Sequence, residues 1–402
     1  MKTKIGLSVL LIGIILSCEK SQEDTFVKNP ELETTEAKAF IANTNEFALD
    51  VFRTVASSEE DDNYMVSPIS LSMALGMLHN GARGETMQAF DNVLGRGNTL
   101  AENNTYYGLL MESLSSNTSG TTLNLANAIW IKEGFPVEGQ FKETNELFYK
   151  SDIDNLDFNN SSAVKTVNDW ADGRTKGKIK DLVTEFDDQT RLFLANAIYF
   201  KSQWKYRFDT NRTIERPFYI SEASSVNVPM MNMKAEVMTA ATDLFSAIVL
   251  PYKGERYEMV LLLPYLGITT SAVLENIDTT ELSFLFKDNR KSELEIALPR
   301  FTLEYEKTLN DVVTELGLGI AFANRADFTG INKETDLSIS KLFQKTFIEV
   351  NEEGTEAAAV TGVEIGTTSV PPSFTADRPF LYIIREKATG TICFMGRVGN
   401  PK

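Results

Sequence analysis

The sequence predicts an α+β fold built on large mixed or antiparallel sheets. Apolar residues in the first half recur at helical spacing, so that half reads as mainly helical. Short, strongly apolar runs with strand character gather in the second half. The two kinds of segment mix without the regular strand–helix alternation of a parallel α/β sheet.

Phe40, Ile41, Phe47, Val51, Phe52 and Val55 mark a first helix. Ser67-Pro68 predicts the start of a second, with Ser as cap and Pro in the first helical position. Leu71, Ala74, Leu75 and Leu78 supply its stripe, and Gly81 ends it. Further helices are expected near 84–94, 104–115, 138–150 and 163–172. Strands are expected at Leu192–Phe200, Glu258–Leu263 and Glu293–Leu298, and Lys341–Val350 alternates in part. The chain closes with a hairpin: Pro379–Arg385, a turn at Lys387-Ala388-Thr389-Gly390, then Thr391–Val398. Length alone suggests roughly two or three domains. No linker or internal repeat divides the mature chain, so residues 37–402 read as one domain.

The N-terminus reads as an export signal. Lys2 and Lys4 precede an apolar run, Ile5–Leu16, too short to span a bilayer comfortably. Ile15-Leu16-Ser17-Cys18 resembles a bacterial lipobox. The expectation is removal of residues 1–17, acylation of Cys18, and a polar, acidic tether over residues 18–36. The mature chain is then exported and lipid-anchored to a bacterial outer membrane, on its periplasmic or cell-surface face. That leaves Cys393 alone, within Ile392-Cys393-Phe394-Met395, as a buried small hydrophobe without a disulfide.

Composition removes several function classes. The net charge is −17, from 39 basic and 56 acidic residues. Such a surface repels phosphate backbones, so neither nucleic acid nor a heparin-like cofactor is an expected partner. With one His and two Cys the chain has no zinc-ligand spacing, and no metal or other cofactor is expected. His79 lies in Met77-Leu78-His79-Asn80-Gly81, at a helix end, and reads as structural. There is no Gly-x-Ser-x-Gly elbow, and Gly81-Ala82-Arg83-Gly84 lacks the Lys-Ser/Thr of a phosphate loop. The chain does not read as an enzyme.

Residues 351–375 stand apart. They form a long connection inside a compact domain, and connections beyond about 12–15 residues are usually functional or disordered. Positions 355, 357, 359, 361, 363, 365 and 367 are Thr, Ala, Ala, Thr, Val, Ile and Thr, all uncharged. The only charges between Gly354 and Pro372 are Glu356 and Glu364, on the other parity. Strand side chains alternate faces, so this segment could bury one face as a strand and keep its carboxylates in water.

Glu352-Glu353-Gly354-Thr355-Glu356-Ala357-Ala358-Ala359 closely resembles the hinge of the inhibitory serpins. The resemblance runs in order along the mature chain. It includes Ser67-Pro68-Ile69-Ser70, Asn168-Asp169-Trp170, Leu194-Ala195-Asn196-Ala197-Ile198-Tyr199-Phe200-Lys201 with Trp204, Val228-Pro229-Met230-Met231, Asp327-Phe328-Thr329-Gly330-Ile331 and Phe394-Met395-Gly396-Arg397-Val398. It implies three sheets, about nine helices and an exposed reactive loop at about residues 352–372. It also implies a monomeric suicide substrate of serine proteases. The cleaved loop inserts as a strand into the main sheet and traps the acyl-enzyme.

Within that frame Gly354 is the pivot and Thr355 the first residue to leave solvent and enter the sheet. The family's spacing places the scissile bond at Thr368-Ser369. No Lys or Arg lies between Gly354 and Pro372, which favours elastase-like or subtilisin-like targets, with cysteine proteases second. Ser67, Ser70, Asn196 and Trp204 match the residues around the sheet's opening. Gln344 stands where most serpins have a His, and its amide would replace the imidazole in a network with Ser70 and Asn196. The competing reading is a non-inhibitory serpin acting as a surface binding or chaperone-like lipoprotein, against which the small hinge residues argue.

Overall fold

The computed structural model describes residues 29–402 except 60–61, 116–119, 188–189, 281, 283–289, 334–336 and 356–371. Eight α-helices lie among the described residues, against about nine expected. They are α1 (Thr35–Ser58), α2 (Pro68–His79), α3 (Gly84–Phe90), α4 (Leu100–Ser115), α5 (Gly139–Tyr149), α6 (Ser162–Arg174), α7 (Thr270–Asn276) and α8 (Asn310–Val313). The helical periodicity located the first six; α2 is buried on every residue, whereas helices such as α1 and α6 bury one apolar stripe that repeats with the helical turn.

The strands form two hydrogen-bonded systems. The first is a six-stranded sheet of β2 (Thr121–Lys132), β3 (Asp152–Leu156), β4 (Leu192–Gln203), β10 (Phe301–Thr308), β11 (Leu342–Asn351) and β12 (Gly354–Thr355), in the order β10-β11-β12-β4-β2-β3. The second joins β1 (Asn63–Val66), β5 (Ile214–Ser221), β6 (Ser224–Ala241), β7 (Phe245–Pro251), β8 (Tyr257–Pro264), β9 (Lys291–Pro299), β13 (Ser373–Thr375), β14 (Phe380–Glu386) and β15 (Ile392–Val398). Its order is β1-β15-β14-β8-β7-β6-β9-β13, with β5 paired to β6. The 18-residue β6 belongs to two halves: one end pairs with β5, the other with β7, and β9 runs along the middle. Counted by halves, the protein has three sheets.

The strand β2 is a departure from the mainly helical first half. Its Thr121-Thr122-Leu123-Asn124-Leu125-Ala126-Asn127-Ala128-Ile129-Trp130-Ile131 is nearly all buried, so neither a polar face nor strict alternation announces it. Its eleven-pair ladder with β4 fixes it. Both strands sit between two apolar layers. The main core, including Phe200, Ile198, Leu194 and Ile129, lies on one face against α1, α2 and α4. A smaller cluster of Ala128, Trp130, Phe193 and Ala195 packs under Val167 and Ala171 of α6 on the other. Burial on both faces is why β4 reads as a continuous apolar run.

Candidate functional site

The site is the cleft between β4 and β11. At one end these strands pair directly and in parallel, Leu342–Lys345 against Leu194–Ala197. That ladder stops at Lys345 and Ala197. At the other end β12 stands between them, with Thr355 opposite Val350 and Ser202 and Gly354 opposite Asn351 and Gln203.

The wedge has local causes. The strand β11 ends at Asn351, whose side-chain oxygen accepts from Glu353 N–H at 3.1 Å and tightens the turn. The turn is tied to the segment after β4. Trp204 N–H donates to the Glu353 carbonyl at 2.7 Å, Phe208 N–H to the Glu352 carbonyl at 2.8 Å, and Trp204 Nε1–H to the Asn351 carbonyl at 3.0 Å. Gly354 has φ +155°, and a Cβ there would sit 2.1 Å from the Ser202 carbonyl oxygen and 2.6 Å from Gln203 Cα. Both contacts are backbone and have no room to retreat, so only glycine lets the chain pass.

Thr355 is 1% exposed. Its hydroxyl lies 2.9 Å from the phenol oxygen of Tyr252, which stacks on Trp204 at 4.5 Å between ring centres and 9° between planes. Burial pushes the Tyr252 phenol well above its ordinary value, against the smaller opposing effect of its bond to Thr355, so it stays protonated. Glu352 is buried and accepts hydrogen bonds from Arg300 and, at 2.6 Å, from the Thr213 hydroxyl. Burial alone would raise its carboxyl, but these bonds outweigh it and hold the group below the usual carboxylate range. Glu353 is 5% exposed, and among the described residues neither of its carboxylate oxygens has a hydrogen-bond partner.

The directly paired end is held by neutral amides. The Ser67 N–H donates to Gln344 Oε1 at 2.8 Å, and Gln344 Nε2 donates to the Ser67 carbonyl at 2.9 Å. The Ser70 hydroxyl donates to Asn196 Oδ1, and Asn196 Nδ2 donates to Asn127 Oδ1 at 2.7 Å. Among the described residues no group of His, Cys, Asp and Glu is placed to hold a metal.

A family model for serpins (serine protease inhibitors) matches residues 42–401. This chain belongs to the serpin family. Neuroserpin of Gallus gallus is 32% identical to this serpin over 371 residues, spanning 89% of this chain and 90% of that protein. Among solved structures, the native state of the thermophilic serpin tengpin superposes with a TM-score of 0.84 at 29% identity, over 90% of this chain and 94% of tengpin. Human thyroxine-binding globulin in complex with thyroxine superposes at 0.85 with 27% identity, over 91% of this chain and all of that one.

The structure brings the expected residues to the two ends of one cleft: Glu352, Glu353, Gly354, Thr355 and Trp204 at one, Ser67, Ser70, Asn196 and Gln344 at the other. Glu356, Ala357, Ala358, Ala359, Thr368, Ser369 and Cys18 lie outside the described residues. Four expectations need correction. Thr355 does not wait in solvent, because it is already in the sheet, drawn in by backbone pairing on both sides and a hydroxyl partner. Residues 352–355 are likewise buried rather than part of an exposed loop. Gln344 does not join Ser70 and Asn196, because its amide reaches the Ser67 backbone while those two side chains pair with each other. Ser67 does not cap α2 with its side chain, because its hydroxyl donates to the Cys393 carbonyl at 2.8 Å.

His79 is buried at the end of α2, stacked on Phe90, and Cys393 is a buried free thiol, both as read from the sequence. Sequence reading missed Tyr252, Arg300, Thr213 and Asn127. Only Asn127 carried a signal, a polar residue inside an apolar run. The others act through contacts with residues 52 to 139 positions away.

Proposed function

We propose that this serpin is a single-use inhibitor of elastase-like or subtilisin-like serine proteases. The protease's serine hydroxyl adds to the Thr368 carbonyl. The Thr368–Ser369 C–N bond breaks, the Ser369 amine leaves with a proton from the protease's own acid, and an acyl-enzyme remains. Insertion of the loop into the cleft then carries the acylated protease away before water can release it.

The observation that supports this most is the placement of β12 between β4 and β11. Its register gives the insertion path, because each residue added to β12 moves one position back along both neighbours. Ala357 falls opposite Ile348 and Phe200, Ala359 opposite Thr346 and Ile198, Thr361 opposite Gln344 and Asn196, and Val363 opposite Leu342 and Leu194. All eight receiving side chains are buried, so this parity takes the small and β-branched residues inward. On the other parity Glu356 falls opposite Lys201 and Glu349, and Glu364 opposite Lys341 and Phe193. Past Ala359, insertion has to unzip the Leu342–Lys345 ladder and part Gln344 from Ser67. The absence of Lys and Arg between Gly354 and Pro372 supports the proposed target class, with papain-like cysteine proteases second.

The same proposal places the inhibitor outside the cytoplasm, held through a lipid on Cys18 at a bacterial outer membrane and working as a monomer. No described helix is long and apolar enough to cross a membrane. A non-inhibitory binding role is the second reading. It draws on the likeness to thyroxine-binding globulin, solved with thyroxine.

The test mixes the mature protein with pancreatic elastase and with subtilisin on a denaturing gel. A band at the summed mass that survives boiling, with a released fragment beginning at Ser369, is the expected result. Cleavage with fully active protease in every case overturns inhibition and favours the binding role.

A further inference from the structure

We propose that Tyr252 is a positioning residue that sets how often an attacked loop traps the protease rather than being cut and released. This rests on the inhibitory reading. Trapping is a race between insertion and deacylation, and insertion is hardest at its start, when ordering entropy is lost before many contacts form. In this protein the first strand pairs are already made, and Tyr252 is the side chain that holds Thr355, beside the bonds of Asn351, Trp204, Arg300 and Thr213 to the turn before it.

The geometry is specific. Tyr252 follows β7, in the other strand system, and bridges in antiparallel fashion to Trp204. Its ring stacks on Trp204 and meets Phe200 edge-on at 5.1 Å, and its backbone N–H donates to the Tyr257 carbonyl at 3.0 Å. The Phe200 contact and the backbone bond to Tyr257 do not involve the hinge, whereas Trp204 is itself tied to Glu353 and Asn351. From a mount shared by the two strand systems and the turn, the phenol oxygen therefore faces the mouth of the cleft. The Thr355 hydroxyl fills it at 2.9 Å. If Thr355 withdraws, a buried phenol loses its partner, and an orphaned buried polar group is costly. Tyr252 therefore biases the hinge toward the sheet and lets insertion proceed from its second residue.

The experiment measures the stoichiometry of inhibition and the association rate with elastase, and with subtilisin, for five proteins. Wild type is expected to trap near one protease per molecule. Tyr252→Phe keeps the ring stack but removes the hydroxyl, and it should raise the stoichiometry on the order of threefold to tenfold, the size of one buried hydrogen bond. Thr355→Val should do the same, and Thr355→Ser, which keeps a hydroxyl, should stay near wild type. The double variant Tyr252→Phe/Thr355→Val removes both polar groups together, so it should return toward wild type. A general loss of packing would not produce that return. If Tyr252→Phe does not fold, the Thr355→Val and Thr355→Ser pair reads the same contact. Covalent trapping by wild type with unchanged stoichiometry in Tyr252→Phe and Thr355→Val overturns the role of Tyr252 alone. No covalent complex with wild type overturns the inhibitory reading and this one with it.

Discussion

The two ends of the cleft between β4 and β11 are closed by different chemistry. At the hinge end the closing piece is a two-residue strand whose own side chain finds a hydroxyl partner, next to a carboxylate held by Arg300 and Thr213. At the paired end the closing pieces are fixed strands and a helix start, joined by neutral amides and a serine. Control therefore lies with different residues at the two ends. The hinge end answers to the identity and charge of residues 352–355, whereas the paired end answers to whether Gln344 stays on Ser67.

The largest effect should come from the hinge end. Thr355→Arg puts a cation where 1% of the residue is exposed. Burying an unpaired charge costs several kcal/mol, so the hinge should leave the sheet instead. Trapping of elastase should fall by roughly 100-fold or more, while cleavage at Thr368-Ser369 continues and the gel shows only cut protein. Efficient trapping by this variant would show that docking of Thr355 is irrelevant to inhibition.

At the paired end, Gln344→Ala removes two hydrogen bonds and orphans the buried N–H of Ser67, whose carbonyl keeps the Leu71 N–H at 3.1 Å. The orphaned donor costs about 1–3 kcal/mol. The thermal midpoint should drop clearly, and the cleft should open more readily, giving faster spontaneous loss of activity on warming. An unchanged midpoint would mean that water replaces the amide without cost. Comparing this variant with Thr355→Arg separates the two ends, because one weakens the resting fold and the other blocks the trap.

Much of this contrast could be read from the sequence, for identifiable reasons. The uncharged parity expected from 357 to 363 is matched by burial of the positions on β4 and β11 that the proposed insertion would bring opposite it. Ser70 and Asn196 were legible from their motifs. The resting position of Thr355 was not, because it depends on a phenol 103 residues away and on the Ser202 backbone. The partner of Gln344 was missed for a related reason. The Gln344 amide bonds both backbone groups of Ser67, and side-chain identity does not encode that choice. The strand β2 was hidden because burial on both faces erases its period.

The ends should also differ toward acid. The Glu352 carboxyl is held below its ordinary 4.5. Its contribution to docking is therefore complete above that value and is lost as pH falls through the lower folded value. The amide clasp has no titrating group. Acid should thus loosen the hinge end, by about 1–2 kcal/mol after allowance for the half-exposed Arg300. Trp204 fluorescence followed from pH 7 down to pH 3 should report it, and Glu352→Gln should remove that transition. A transition that persists in Glu352→Gln would assign it to another carboxylate.

The smallest effect runs the opposite way. Glu353 sits in the same turn as Glu352, equally buried, yet among the described residues neither of its carboxylate oxygens is hydrogen-bonded. Its backbone does the holding, through the Glu353 carbonyl to Trp204 N–H and the Glu353 N–H to Asn351. The side chain therefore opposes a docked turn that its own main chain supports. Glu353→Gln keeps the shape and removes the charge. Because a neutral amide is less costly to bury than a carboxylate, the docked hinge should gain about 1 kcal/mol. The thermal midpoint should rise by a degree or two, and the stoichiometry of inhibition should stay level or improve. A lower midpoint would mean that the charge is stabilised at longer range by the cations around the cleft. In that case Glu353 would act with Glu352 in holding the hinge, and the contrast between the ends would rest on two carboxylates rather than one.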